Sequence, residues 1–256
     1  MRFILTTAVL TLLFSAPLHA QDDLFGHLSQ KTPVRKGFVI GANGTFDIPG
    51  ADMAERFGLS YRVGPSLFYK TKSNWMIGAK GDFIFGNRIR EDSLMYNITT
   101  SEGAFIDKTG VLKNAGVFER GFLAGVQAGK IISFGAAKTD NGLFLMTGVG
   151  FVQHRIRIVD KNGDFYQLSG DYKKGYDRLA NGWYLEQFVG YNHFAPNALI
   201  NFHIGLNVTA GFTAGRRDFL YDVRRPGTDS RLDILFGIRG GWYIPMFRQK
   251  SEEIYY

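Results

Sequence analysis

The sequence predicts an all-β protein: an eight-stranded antiparallel transmembrane β-barrel with short turns at one end and longer loops at the other. Three observations carry that expectation. Apolar and polar residues alternate with period two over eight long segments, as in "NFHIGLNVTAGFTAG" (201–215), so each strand has two chemically opposite faces. Beyond the N-terminus no stretch approaches the roughly 20 apolar residues of a spanning helix. The connections between the segments alternate between short and long.

Taken in order, "MRFILTTAVLTLLFSAPLHA" (1–20) has a basic start at Arg2, an apolar run and Ala20 before "QDD", the pattern of a signal peptide cleaved after Ala20. Residues 21–36 read as a polar periplasmic lead-in, 37–247 as the barrel and 248–256 as a C-terminal tail. "GFVIGANGTF" (37–46) sets Phe38, Ile40, Ala42 and Phe46 against Asn43 and Thr45. "FGLSYRVGPSLFY" (57–69) sets Phe57, Leu59, Tyr61, Val63, Leu67 and Tyr69 against Ser60, Arg62 and Ser66. "WMIGAKGDFIF" (75–85) sets Trp75, Ile77, Ala79, Phe83 and Phe85 against Met76, Lys80, Asp82 and Ile84. "FERGFLAGVQAGKI" (118–131) sets Phe118, Phe122, Ala124, Val126 and Ala128 against Glu119, Gln127 and three glycines, with Arg120 interrupting the apolar row.

"LFLMTGVGFVQHRIRIV" (143–159) changes phase near Phe151–Gln153, which reads as a bulge. "WYLEQFVGYNHF" (183–194) carries Gln187 among Trp183, Leu185, Val189 and Tyr191. In 201–215, Phe202, Ile204, Leu206, Val208, Ala210 and Phe212 oppose His203, Asn207 and Thr209. "RLDILFGIRGGWYIPMF" (231–247) sets Leu232, Ile234, Phe236, Ile238, Trp242, Ile244 and Met246 against Arg231, Asp233, Gly237, Arg239 and Gly241. The short connections are 70–74, 135–142 and 195–197; the long ones are about 87–116, 160–182 and 214–230, with an intermediate one around 48–56.

The composition of the polar face decides which face meets which medium. A solvated face would be dominated by bulky Lys, Glu and Asp, whereas this one is mostly Gly, Ser, Thr and Asn with charges of both signs. Such a face suits a narrow lumen that side chains fill. The expected lumen network is Arg62, Lys80, Asp82, Glu119, Gln127, His203, Asp233 and Arg239, whose buried charges must pair. Trp75, Trp183 and Trp242 fall near strand ends, as an interfacial aromatic girdle would. The competing architecture is a lipocalin-like secreted barrel with an apolar interior.

A charge of +7, or +6 once Arg2 leaves with the signal (29 Lys+Arg minus 23 Asp+Glu), suggests acidic lipid or polysaccharide neighbours rather than nucleic acid. Without cysteine there is no disulfide, thiolate metal site or lipidated cysteine.

With signal, alternating strands and a Gly-rich lumen in view, the chain resembles the small outer-membrane β-barrel proteins of the OmpA/OmpX type and the related barrels of Bacteroidota. The resemblance covers about 37–247 and is architectural. It implies outer-membrane localisation, a side-chain-filled barrel and an aromatic-rich last strand. "RGGWYIPMF" has that aromatic character but carries Pro245 and continues into "RQKSEEIYY", so Phe247 and Tyr256 compete as the aromatic that, in the family it resembles, the insertion machinery reads. Because some barrels of this size modify lipopolysaccharide, a catalytic set matters. Of the mature-chain histidines, His27 precedes the barrel, His154 has no serine at close spacing, His193 adjoins a turn and His203 reads as hydrogen-bonded lumenal filler.

"DKNGDFYQLSGD" (160–171) spaces Asp160, Asn162, Asp164 and Asp171 like a calcium loop but has Phe165 where the pattern demands glycine, so it reads as a polar loop. "AGRRDFLYDVRRPGTDSR" (214–231) brings Arg216, Arg217, Arg224 and Arg225 to an outer loop, where guanidinium groups could contact lipopolysaccharide phosphates or pair with Asp218, Asp222 and Asp229. "NIT" (97–99) and "DSL" (92–94) match short glycosylation patterns. No catalytic residue, metal site or cofactor is expected. The expected role is a non-enzymatic, structural or interaction protein of the outer membrane, touching lipid, lipopolysaccharide and other envelope proteins. A narrow porin-like channel comes second and a lipopolysaccharide-modifying enzyme third.

Overall fold

The computed structural model describes residues 34–91, 93–134, 139–160, 165–195 and 200–247. The expected signal peptide, most of the lead-in with His27, Asp92, residues 161–164 and the tail 248–256 lie outside the described residues.

In chain order the elements are β1 (Gly37–Ala51), α1 (Asp52–Arg56), β2 (Ser60–Lys70), β3 (Trp75–Gly86), β4 (Phe105–Ile106), β5 (Leu112–Lys113), β6 (Gly116–Ser133), β7 (Gly142–Val159), β8 (Ala180–Phe194), β9 (Asn201–Gly215), β10 (Arg217–Leu220), β11 (Arg225–Gly227) and β12 (Ser230–Phe247). Eight of these strands close a barrel in the order β1-β12-β9-β8-β7-β6-β3-β2. Every neighbouring pair is antiparallel, and β1 closes the ring on β12 from Gly37↔Phe247 to Ala51↔Asp233. Closure leaves no sheet edge with unpaired backbone groups. The remaining strands form two ribbons, β4 with β5 and β10 with β11, inside the long connections. Pro245 lies near the end of β12, beyond Trp242 where pairing with β9 stops, although it still pairs with Val39 of β1.

The apolar row faces outward on every barrel strand. Ile204, Leu206 and Phe212 are 53%, 67% and 56% exposed, whereas Arg62 and Arg239 on the opposite face are 2% and 0% exposed. Within the outward band Thr147 and Gln187 are register neighbours, and the Thr147 hydroxyl donates to Gln187 Oε1 at 2.7 Å. This pair meets its own hydrogen-bonding needs amid apolar neighbours.

Two expectations are corrected. There is no bulge at Phe151–Gln153: β7 pairs with β6 without a break from Gly142↔Ser133 to Val159↔Gly116, and inward and outward residues alternate throughout. What changes is the surroundings. Toward the loop end Arg155 and Arg157 face outward and are exposed, while Ile156 and Ile158 point inward and are buried. Phe57, read as part of an outward row, precedes β2 and is fully buried, its ring edge-on to His154 at 5.5 Å.

The lumen also holds more large side chains than the glycine-rich reading implies. Phe68, Phe144, Phe188, Tyr184 and Tyr243 point inward and are 0% exposed. The inward glycines make room for these neighbours. A Cβ added at Gly125 would lie 2.5 Å from Tyr184 Oη, and one at Gly241 would lie 2.2 Å from His203 Cε1 and 2.7 Å from Asn43 Oδ1. Gly241→Ala is therefore expected to destabilise the barrel by about 1–3 kcal/mol through overpacking, read as the urea midpoint of the folded form in detergent. In a His203→Ser background the same substitution is expected to cost less than in wild type. An equal loss in both backgrounds would show that the imidazole is not the obstacle.

Candidate functional site

The interior is stratified from the turn end to the loop end. At its middle, Glu186 on β8 is the shared acceptor. Its Oε2 receives Lys80 Nζ at 2.7 Å, Arg62 Nη1 at 3.1 Å and the Thr209 hydroxyl at 3.1 Å. Its Oε1 receives Gln127 Nε2 at 2.6 Å and Arg239 Nη1 at 3.0 Å. Arg62 also forks onto Asp47, with Nε at 2.6 Å and Nη2 at 2.9 Å, and Lys80 donates to Asp82 at 2.7 Å. Arg62, Lys80 and Arg239 thus face Asp47, Asp82 and Glu186, and the formal charges cancel. The six come from β1, β2, β3, β8 and β12, so the cluster ties much of the ring together.

Of the residues expected in the lumen network, Arg62, Lys80, Asp82, Gln127 and Arg239 meet there. Glu119 lies apart, accepting the Ser60 hydroxyl at 2.5 Å. Asp233 accepts the Thr213 hydroxyl at 2.5 Å and lies 2.8 Å from His154 Nε2. Because Thr213 turns to the carboxylate and Ser60 to Glu119, neither hydroxyl is aligned by the imidazole as a nucleophile would be. His203 sits lower, among aromatic rings, stacked on Tyr243 at 4.7 Å and edge-on to Phe188 at 5.4 Å. Its ring nitrogens have no hydrogen-bond partner among the described residues, so it is packed filler rather than part of a polar network.

Glu186 and Asp47 escaped the sequence reading. Glu186 shares the inward period of Tyr184 and Phe188, and that spacing was the signal that could have found it.

Among the described residues, side chains pack across both ends of the lumen. At the turn end Asp140, 0% exposed, takes Arg35 Nε at 2.8 Å and Lys70 Nζ at 2.7 Å. Lys70 also donates to Asn74 Oδ1 at 2.8 Å, and the Arg35 guanidinium lies 4.8 Å over the Phe247 ring. The last residues of the lead-in are thus fastened to the barrel mouth. At the loop end Met53, Phe57, Leu94, Phe105, Phe165 and Leu168 pack onto Ile156, Ile158 and Leu235 of the barrel, forming an apolar plug.

An ionic strap holds this cap, with one side chain from each of the four connections at the loop end. Arg56 of α1 reaches Glu91 at 3.2 Å, Glu91 takes Arg178 at 2.8 Å, and Arg178 continues to Asp222. Burial, then Arg231, pushes the Arg56 guanidinium down to about 10, against the opposing pull of Glu91, so it stays charged at neutral pH. Arg178 adopts φ 50, a left-handed conformation uncommon for a long side chain.

Above the strap three connections frame a cleft of about 500 Å³ lined by Asn97, Ile98, Gln167, Tyr172, Tyr176, Phe219, Tyr221 and Arg224. Tyr221 is its centre, 6.0 Å from the Tyr172 ring, 5.7 Å from Tyr176 and 5.8 Å from Phe219. Asn97, of the "NIT" pattern, donates to Tyr176 Oη at 3.1 Å, and Gln167 Oε1 has no partner among the described residues.

The four outer-loop arginines do not act as one group. Arg217 forks onto Asp177 at 2.7 and 2.5 Å, a contact that raises its pKa, and Arg225 pairs with Asp229 at 2.8 Å. Arg216 donates to Asn181 Oδ1 at 2.6 Å, and Arg224 lines the cleft. Of the calcium-like loop, Asp160 accepts the Phe165 amide at 3.0 Å and Asp171 pairs with Lys174 at 2.7 Å, so the two carboxylates serve local contacts. Trp75, Trp183 and Trp242 all face outward, the first and last toward the turn end and Trp183 toward the loop end.

Removing one partner of a buried ion cluster strands the others. Glu186→Gln is expected to cost about 3–5 kcal/mol of barrel stability, measured by urea unfolding in detergent. A loss below 1 kcal/mol would mean that the cluster is not the interior's main electrostatic constraint.

No protein-family model matches the chain, and no curated protein matches it. Among solved structures it is similar to the Ail attachment invasion locus protein of Yersinia pestis in complex with the heparin analogue sucrose octasulfate, at 8% identity and TM-score 0.42, covering 82% of this chain and 98% of that one. It is also similar to Neisserial surface protein A, at 9% identity and TM-score 0.43, covering 82% and 97%. The N-terminal β-barrel domain of Pseudomonas aeruginosa OprF matches at 10% identity and TM-score 0.35, covering 82% and 99%.

Proposed function

We propose that the chain is an integral outer-membrane β-barrel with a closed lumen, acting through its loop cap as a non-enzymatic structural or interaction protein. The observation that carries this reading is the outward apolar band around a charged interior with side chains packed across both ends. An exposed apolar surface of that extent is stable against acyl chains and not against water. The stretch Phe202–Phe212 matches the roughly 9–11 residues a tilted strand needs to cross the hydrocarbon core. Short turns then face the periplasm and the cap faces outward.

A filled interior argues against the channel reading, since eight strands leave room for side chains rather than a pore. The cap presents a surface for partners beyond the membrane, and within it lies the tyrosine-lined cleft. Its exposed rings and the Arg224 guanidinium supply stacking faces and hydrogen-bonding groups to one ligand.

The chain has no cysteine, so a single substitution gives a unique probe. In intact cells a membrane-impermeant maleimide is expected to label Tyr172→Cys and to leave Ile204→Cys unmodified. In planar bilayers the protein is expected to give no steady conductance. Labelling at position 204 would overturn the membrane placement, and stable openings would overturn the closed lumen.

A further inference from the structure

Where the outward apolar rows end on β6, β7 and β9, arginines begin. Arg120 and Arg155 are direct register partners across β6 and β7, and Arg157 follows two residues along, opposite Phe118. His154 and Gly215 both pair with Ala180, and the Arg216 amide donates to the Leu179 carbonyl at 2.8 Å, so Arg155 and Arg216 flank Leu179 on the same outer wall. Adjacent strands lie about 4.8 Å apart, so Arg120 and Arg155 can share one anion. Arg216, two strands from Arg155, stands about 10 Å farther along the wall, within the span of a headgroup with more than one anionic group.

Like charges directly opposed across strands repel, and the chain supplies little to offset that here. Arg155 and Arg157 are exposed and make no ion pair or hydrogen bond among the described residues. Arg120 donates to the Glu119 carbonyl at 2.6 Å and lies 5.2 Å over the Phe118 ring, and Arg216 uses Nε on Asn181. By contrast Arg56, Arg178, Arg217 and Arg225 of the cap each meet a carboxylate.

Two neighbouring features fit the same ligand. Below the arginines the outward row is aromatic: Phe151, Trp183 and Phe212 are successive register partners, and Phe122 lies 6.0 Å from Phe151. Beside them a hollow of about 300 Å³ is lined by Arg155, Arg157, Asp160, Lys173 and Asp177, with Asp177 already engaged by Arg217. The opposite wall carries apolar Leu232, Ile48, Leu59 and Tyr61 at outward positions, with the exposed Arg88 and Arg90 beyond the end of β3.

We infer that the wall from β6 to β9 holds a binding site for the phosphorylated sugar headgroup of an outer-leaflet saccharolipid, with Arg120, Arg155, Arg157 and Arg216 as its phosphate ligands. Guanidinium groups bind phosphate oxygens in a bidentate fashion. The sugar occupies the hollow, and the acyl chains run down over Phe151 and Trp183. The inference rests on the membrane placement proposed above.

The test is binding of bisphosphorylated lipid A to the full chain in detergent micelles, followed by native mass spectrometry. Dephosphorylated lipid A and water-soluble glucosamine 1-phosphate serve as companion probes. Wild type is expected to retain lipid A at least tenfold more strongly than the dephosphorylated lipid, and Arg155→Gln/Arg157→Gln is expected to lose that preference. Arg225→Gln, which removes an arginine away from the wall, is expected to bind within twofold of wild type. Heat-modifiable gel migration reads closure of each barrel beforehand, and the comparison of the two lipids on wild type needs no variant at all.

Equal retention of both lipids, or full retention by the double variant, overturns the site. Competition by glucosamine 1-phosphate at the concentration effective for lipid A overturns the lipid assignment in favour of a soluble phosphosugar. Maleimide access at position 204 tests the membrane placement separately, so a chain that passes that test and ignores lipid A contradicts this inference alone.

Discussion

The carboxylate of Glu186 is the constraint around which the interior is arranged. It receives Lys80, Arg62 and Arg239, while Asp47 and Asp82 complete the neutralisation. Ions so fully removed from water are stable only when their partners are in place. Here Arg239 Nε and Nη2 and Asp82 Oδ1 have no hydrogen-bond partner among the described residues. Gln127, Thr209 and Asn207 fill positions on the shared carboxylate. The requirement to keep this balance dry explains the aromatic layer below it and the apolar plug above it. It also explains glycines at inward positions, where a side chain would displace a large neighbour.

The outward face follows a complementary rule, and the two rules exchange at the loop end. Along β7 the outward residues run from Phe151 through Gln153 to Arg155 and Arg157, while the inward ones become Ile156 and Ile158. The backbone register never shifts. Outside the apolar band the outer wall meets polar surroundings, whereas the inner wall meets Phe57, Leu94 and Phe105 descending from the connections. The cap is therefore a continuation of the barrel core, and the Arg56–Glu91–Arg178–Asp222 strap ties its four connections into one surface.

This exchange marks the limit of what single-sequence reading resolved. Period-two patterning and the alternation of connection lengths are local properties, so the eight antiparallel strands and the orientation of their faces were legible. The supposed bulge arose from assuming that the outward row stays apolar along the whole of β7. Phe57 was misassigned for the related reason that a buried residue beyond the strand carries the same apolar label as a lipid-facing one. Which charges meet was not legible, because Arg62 and Glu186 are far apart in sequence and come together only through closure of the ring. The tyrosine cleft was hidden for the same reason, since its residues belong to three separate connections.

The inside-out arrangement can be tested without altering the chain, because its three tryptophans, Trp75, Trp183 and Trp242, all lie on the outward face. The direct measurement is quenching of their fluorescence in reconstituted vesicles, by lipids brominated along the acyl chains and by aqueous iodide. Strong quenching by the brominated lipids with little by iodide is the predicted result. Ready quenching by iodide with indifference to brominated lipid would contradict it.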